Sequence, residues 1–203
     1  ELARVMGKDI KDLKIVSCHL GNGSSITAIN GGISVDTSMG FTPLDGLVMG
    51  TRSGAVDPSA IEFVEKKMGF TSDQMTEYLN KKSGFLGLSG ISSDNRDITE
   101  AAEHGNERAK ITGEVFCYQI KKFIGSYAAV MNGMDAIIFT GGIGENAPDI
   151  RERSCSNLDV LNVKIDHEAN KVRGKLAKIS TEDSKTQVWV IPTNEELLIA
   201  RDT

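Results

Sequence analysis

Hydrophobic and polar positions along the chain follow two rhythms. Leu13 to Leu20 is an apolar run of strand length, and Ser25 to Ile29 alternates Ile26 and Ala28 against Thr27 and Ile29, the period of two expected of a strand with one buried face. Gly21-Asn22-Gly23-Ser24 joins them, and Asn-Gly at such a joint predicts a hairpin. Asn30-Gly31-Gly32 turns the chain into a short strand over Ile33 to Asp36, so the opening predicts a three-stranded antiparallel meander. The rhythm then lengthens. Ile61, Val64 and Met68 share a helical face behind Asp57 as N-cap and Pro58 at the first helical position, and Gly69 stops that helix. Thr71-Ser72-Asp73 predicts the start of another helix, to about Lys82. From Asn106 to Met131 apolar residues recur every three or four positions, Phe116, Ile120, Ile124 and Tyr127 among them, with Lys121 and Lys122 opposite. This predicts one long core-packing helix, ended by Asn132-Gly133. A buried strand follows over Asp135 to Phe139, then a short helix near Pro148 to Arg153, a charged peripheral stretch over Ile165 to Lys178, and a last strand over Val188 to Ile191. Thr193 and Glu196 have capping-box spacing and predict a terminal helix through Ala200.

The strand ending at Phe139 empties into Thr140-Gly141-Gly142-Ile143-Gly144-Glu145-Asn146. With no Cβ at three of four positions, backbone there can approach a ligand closely, although a tight strand-to-helix connection would read the same way. A long helix followed by a buried strand and a glycine turn is α/β logic. At the hairpin tip, His19-Leu20-Gly21-Asn22-Gly23-Ser24-Ser25 concentrates backbone N–H groups, hydroxyls and an imidazole, the composition of a phosphate cradle or of a plain polar turn. Ser38 to Pro58 is long and glycine-punctuated, and its Arg52, between small residues, either reaches a phosphate or carboxylate or is a surface charge. A second glycine- and serine-rich loop, Gly84 to Ser93, leads into Asp94-Asn95-Arg96-Asp97. That cluster suits either ribose and base contacts or Asx-turn and capping duty for the next helix. Glu195 and Glu196 either complement a helix dipole or supply a carboxylate to a hard cation.

Composition removes several classes. The 203 residues are 39% hydrophobic and 25% charged with a net charge of −5, a globular chain with no basic footprint for nucleic acid or an anionic membrane. Lys121 and Lys122 interrupt the best candidate for a membrane span. Cys18, Cys117 and Cys155 are too few and too far apart for a disulfide framework or a zinc site, and fit a reducing cytosol. Because the chain opens on Glu1 at what reads as the end of a helix, the sequence is expected to be part of a longer protein.

Taken together, His19-Leu20-Gly21-Asn22-Gly23-Ser24-Ser25, Asp36-Thr37-Ser38-Met39-Gly40-Phe41-Thr42-Pro43-Leu44, Gly50-Thr51-Arg52-Ser53-Gly54, Phe139 to Asn146 and Pro192-Thr193-Asn194-Glu195-Glu196-Leu197 resemble the acetate kinase family over essentially the whole chain. The resemblance places residues 1–203 in the C-terminal, nucleotide-binding half of that family's protein. It implies an actin-like, ribonuclease H-like ATPase fold with a mixed sheet and flanking helices, shared with sugar kinases. It also implies reversible phosphoryl transfer between ATP and acetate, with Mg²⁺ or Mn²⁺, in a cytoplasmic homodimer to which the long helix could contribute. By position, His19 would contact the transferring phosphoryl group, Leu20, Gly21, Asn22 and Gly23 would meet the nucleotide phosphates, and Arg52 would stabilise the charge in flight. Asp94, Asn95 and Arg96 would line the nucleoside site, Gly142, Ile143, Gly144, Glu145 and Asn146 would hold the adenosine, and Glu195 would bind the metal. The family usually carries a bulky apolar residue, often Phe, where Asn95 stands, and its N-terminal half supplies further Asp, Arg, His and Asn groups that this chain lacks. The 203 residues alone are therefore expected to bind nucleotide better than they turn it over. The competing readings are a propionate or butyrate kinase of the same family, since a methylene is worth only about 1–3 kcal/mol of discrimination, and a non-catalytic nucleotide-binding or dimerisation module. A dinucleotide-binding reading of Gly141-Gly142-Ile143-Gly144 is weaker, because GxGxxG spacing is absent and the opening is antiparallel.

Overall fold

The computed structural model describes residues 1–193. The expected helix from Thr193 to Ala200, with Glu195 and Glu196, lies outside the described residues except for Thr193 itself. A six-stranded sheet forms the centre, from β1 (Lys14–Leu20), β2 (Ser24–Asn30), β3 (Ile33–Thr37), β4 (Ala136–Thr140), β5 (Ala177–Lys178) and β6 (Gln187–Val190), in the order β3-β2-β1-β4-β6-β5. The meander β1-β2-β3 is antiparallel, β4 and β6 run parallel to β1, and the short β5 closes the far edge antiparallel.

Alternation decides which face each residue serves. Val16, Cys18 and Leu20 of β1, Ile26 and Ala28 of β2, Ile137 and Phe139 of β4 and Val188 and Val190 of β6 enter one large core. Leu13, Ile15 and Ala136, with Ile138 and Trp189 against them, form a smaller cluster on the other face under α1 (Leu2–Met6). The large core is closed by α6 (Glu107–Val130), which begins where the Asn106 side chain accepts a hydrogen bond from the Ala109 N–H at 3.0 Å. Its stripe Phe116, Ile120, Ile124 and Tyr127 is buried against the sheet, each such side chain contributing roughly 1.5–3 kcal/mol by leaving water. That stripe therefore serves the chain's own core, and Ile111, Tyr118 and Val130 are the large apolar residues α6 leaves exposed.

Four more helices lie between β3 and α6: α2 (Pro58–Met68), α3 (Ser72–Lys81), α4 (Gly84–Ser89) and α5 (Asn95–Glu103). α2 has the expected Asp57 cap and Pro58 start but buries no residue, with Phe63 and Met68 exposed, so its apolar spacing does not mark a core face. Gly84 to Ser89, expected as loop, is the helix α4. Two features drive it there despite its glycines. The N–H groups of Phe85 and Leu86 donate to the carbonyls of Met49 and Gly50, and the Phe85 ring packs edge-on against Phe116 at 4.9 Å. The glycine turn after β4 likewise continues as a six-residue helix, α7 (Gly141–Asn146), followed by α8 (Pro148–Cys155). The stretch expected to be peripheral, Ile165 to Lys178, holds a fully engaged residue, Asn170, which is 1% exposed.

Candidate functional site

The parallel register aligns His19 with Thr140, so β1 and β4 end side by side and their glycine turns meet at the carboxyl ends of the parallel strands, where open α/β sheets place ligands. Side chains are excluded from that junction. A Cβ on Gly141, whose φ is +78°, would stand 2.8 Å from the Leu20 carbonyl oxygen, and one on Gly21 would be 3.3 Å from the Gly23 oxygen. The long loop between β3 and α2 is pinned onto the same hairpin tip: the Gly50 N–H donates to the Asn22 carbonyl at 3.2 Å, and a Cβ on Gly50 would lie 2.9 Å from the Ser93 oxygen. Hairpin tip, Arg loop and the approach to α5 thus lock together through backbone.

They border an open cleft of about 690 Å³, within the size range of small-molecule sites. Gly21 and Asn22 line one end, Asp94, Asn95 and Arg96 one side, and Gly142, Ile143 and Asn146 the other. Eight residues singled out from sequence in three separate stretches therefore share one cavity. Arg52 stands at the hairpin tip. Its guanidinium Nη1 lies 3.4 Å from where a Gly23 Cβ would be and donates to the Pro43 carbonyl at 3.3 Å. His19 is half-buried at the end of β1.

Some residues from the sequence reading do not reach the cavity through their side chains. Leu20 is 0% exposed and belongs to the core, because alternation turns it to the face opposite His19. Gly144 is buried behind the turn, its carbonyl taken by the Arg151 Nη1 at 2.9 Å. The Glu145 carboxylate faces the sheet end, accepting from the N–H groups of Gly141 at 3.0 Å and Thr193 at 2.9 Å. Its role in this structure is to tie the turn after β4 to the segment after β6. Conversely, Thr99, Glu100, Glu103, Ala147, Asp149 and Arg173 line the cleft without having been singled out. The first three follow Arg96 at helical spacing on α5, a signal present in the sequence; Arg173 gives none, and reaches the cleft because its guanidinium donates to the Asn146 carbonyl at 2.6 Å.

Asp94 serves two structural ends at once. It caps α5 by accepting from the Arg96 N–H at 2.8 Å, and it holds the Arg96 guanidinium through Nη2 at 2.6 Å. The Arg96 side chain and then its N–H hold the Asp94 carboxyl below its ordinary range. Four carboxylates, Asp94, Glu100, Glu103 and Asp149, face two guanidinium groups, Arg96 and Arg173, around the cleft, whereas the hairpin end offers glycine backbone, Asn22 and the nearby Arg52. One end suits hydrogen-bond donors on a neutral ring, the other an anion. Among the described residues no group of three His, Cys, Asp or Glu is placed to hold a metal.

The Acetokinase family matches residues 1–201 of this sequence. The chain belongs to that family. An acetate kinase of Natranaerobius thermophilus is 59% identical over 200 residues, covering 98% of this chain and 50% of that protein. An acetate kinase of Methanosarcina thermophila is 56% identical over 201 residues, covering 99% of this chain and 49% of that protein. Among solved structures, Porphyromonas gingivalis acetate kinase superposes with a TM-score of 0.97 at 45% identity, covering 100% of this chain and 51% of that one. A propionate kinase from Francisella tularensis superposes with a TM-score of 0.91 at 44% identity, covering 99% and 51% respectively. The chain spans about half the length of the curated relatives it matches. The mixed sheet, an antiparallel meander continued by parallel strands with helices on both faces, is the actin-like ATPase fold of these acetokinase structures.

Proposed function

We propose that residues 1–203 form the C-terminal, nucleotide-binding half of a cytoplasmic, homodimeric kinase that transfers a phosphoryl group reversibly between ATP and acetate. The observation that carries this reading is the convergence of the hairpin tip, the Asp94-Asn95-Arg96 corner and the Gly142 to Asn146 turn on one cleft of about 690 Å³, with Arg52 against Gly23 of that hairpin. The phosphates lie along Gly21, Asn22 and Gly23. The ribose and base lie between α5 and the turn after β4. An acetate oxygen attacks the terminal phosphorus as ADP leaves, His19 contacts the transferring group, and Arg52 at the hairpin tip neutralises charge that develops on the phosphoryl oxygens. Glu195 would hold Mg²⁺, or Mn²⁺ in its place, and the ion would supply further charge neutralisation at the phosphates.

Calorimetric titration with MgADP tests the site. Saturable binding is expected, and Arg96→Ala is expected to weaken it about tenfold, about 1.4 kcal/mol, since a charge-assisted contact at the cleft wall is lost. No heat at millimolar ligand would remove the nucleotide from this cleft. Acetyl phosphate formation by the same chain is expected to be negligible, because one arginine and one histidine at the hairpin end leave the acetate without a second wall of catalytic groups; turnover like that of an intact family enzyme would refute this.

A further inference from the structure

The cleft does not end at α5. A second cavity of about 310 Å³ shares Asn95, Thr99, Glu103 and Asp149 with it. Asn95, Thr99 and Glu103 recur every four residues along α5, so the common rim is one helix face with Asp149 of α8 opposite. Gly21 and Asn22 line the first cavity and are absent from the lining of the second, which places the second at the end away from the hairpin tip. Beyond the rim the chemistry changes. Ile98, Ala102, Ala109 and Ile150 give an aliphatic lining, and the one cation there is Arg153, whose Nη1 lies 3.0 Å from where a Cβ on Gly113 would stand.

We infer that this back cavity is a subsite for an apolar, preferably aromatic, substituent on the base of a purine nucleotide, so that the chain binds base-substituted nucleotides that a closed base pocket would reject. The inference rests on the nucleotide reading of the main cleft. Phosphates at the hairpin tip direct the base toward α5 and α8, and a group on its far edge then crosses the rim over Asn95 and Thr99. Aliphatic walls take the ring's edges, and a guanidinium can stack on its face. Gly113, in the first third of α6, keeps this space open, with no side chain where any other residue would project toward Arg153.

The test is titration of the 203-residue chain with MgADP and with the magnesium complex of N6-benzyl-ADP. The benzyl nucleotide is expected to bind within threefold of MgADP or more tightly. Gly113→Leu fills the cavity at a helix-interior glycine, a change that favours the helix, and is expected to weaken the benzyl nucleotide at least tenfold while leaving MgADP within twofold. Ala102→Leu is the second filling variant should the first fail to fold. Binding of MgADP with the benzyl nucleotide at least tenfold weaker in the unmodified chain overturns the subsite alone. So does a filled variant that affects both ligands equally or neither. Absence of MgADP binding overturns the nucleotide reading beneath it.

Discussion

Arg151 shows what a single residue contributes that its sequence context conceals. It is 0% exposed and has no carboxylate among its hydrogen-bond partners. Nε donates to the Asn170 Oδ1 at 2.9 Å, Nη1 to the Gly144 carbonyl at 2.9 Å, and Nη2 to the carbonyls of Asn170 at 2.5 Å and Val172 at 2.8 Å. Burial, with the charge of Arg173 nearby, pushes its pKa down to about 10. The guanidinium stays charged at neutral pH and serves acceptors on two segments: the turn that forms one cleft wall and the 3₁₀ turn Ala169–Lys171 with Val172, which leads to Arg173 at the cleft. Arg151→Met would leave those oxygens buried and unpaired. It is expected to lower stability by about 3 kcal/mol, offset in part by relief of the buried charge, read as a shift in the urea midpoint at unchanged slope. A loss below about 1 kcal/mol would mean that desolvating the charge cancels its four hydrogen bonds. In sequence Arg151 sits in a charged octapeptide, Pro148 to Cys155, and Asn170 in a charged stretch with Asp166, Glu168, Lys171 and Arg173; nothing in either composition marks one as buried, since the pairing spans 19 residues.

At the scale of elements, legibility followed how local the cause was. β1, β2, β4 and α6 are readable because each carries its own periodic signal, and Asp57 and Thr71 cap the helices the sequence starts there. α4 and α7 were read as loop and turn because Gly84, Gly87, Gly141, Gly142 and Gly144 oppose a helix by propensity. Tertiary partners override that propensity: Phe85 against Phe116 for α4, and for α7 the Glu145 carboxylate bonded to the Gly141 N–H at 3.0 Å. At the same glycine, where the sequence reading expects backbone to approach a ligand, the structure brings it, with positive φ, against the Leu20 carbonyl. The cleft was legible at its backbone-rich corners and less so along α5. There Thr99, Glu100 and Glu103 look like any solvated helix face until a neighbouring element stands opposite.

For the whole molecule, the three cysteines tie the strongest pH dependence to the core. Cys18 on β1, Cys117 on α6 and Cys155 on α8 are all buried in the larger cluster, so the elements that close the core each carry one thiol. Desolvation raises all three: Cys18 well above 9.0, Cys117 above it, and Cys155 to about 12. In the unfolded chain these thiols ionise near 9.0; in the native protein they stay protonated. The native state therefore binds more protons above that pH, and stability is fully present below about pH 9 and falls as pH rises through it. Arg151 works in the opposite direction, since its depressed pKa lets the buried charge neutralise, but only above about 10. Toward pH 10 the buried Tyr127 hydroxyl, raised by burial from its ordinary value near 10, acts in the same direction as the thiols. Cys155, with its native pKa near 12, contributes about 1.4 kcal/mol of loss by pH 10, and Cys18 and Cys117 add to it in the same direction, so the unfolding free energy from urea titration should be lower at pH 10 than at pH 8 by at least about 1.4 kcal/mol. Cys155→Ala should flatten that dependence by about 1.4 kcal/mol while lowering stability at pH 8 only through lost packing. A midpoint constant across the interval would mean that the core opens around these residues without unfolding, and native reactivity of the thiols toward a bulky disulfide reagent at pH 8 would then be fast rather than limited by unfolding.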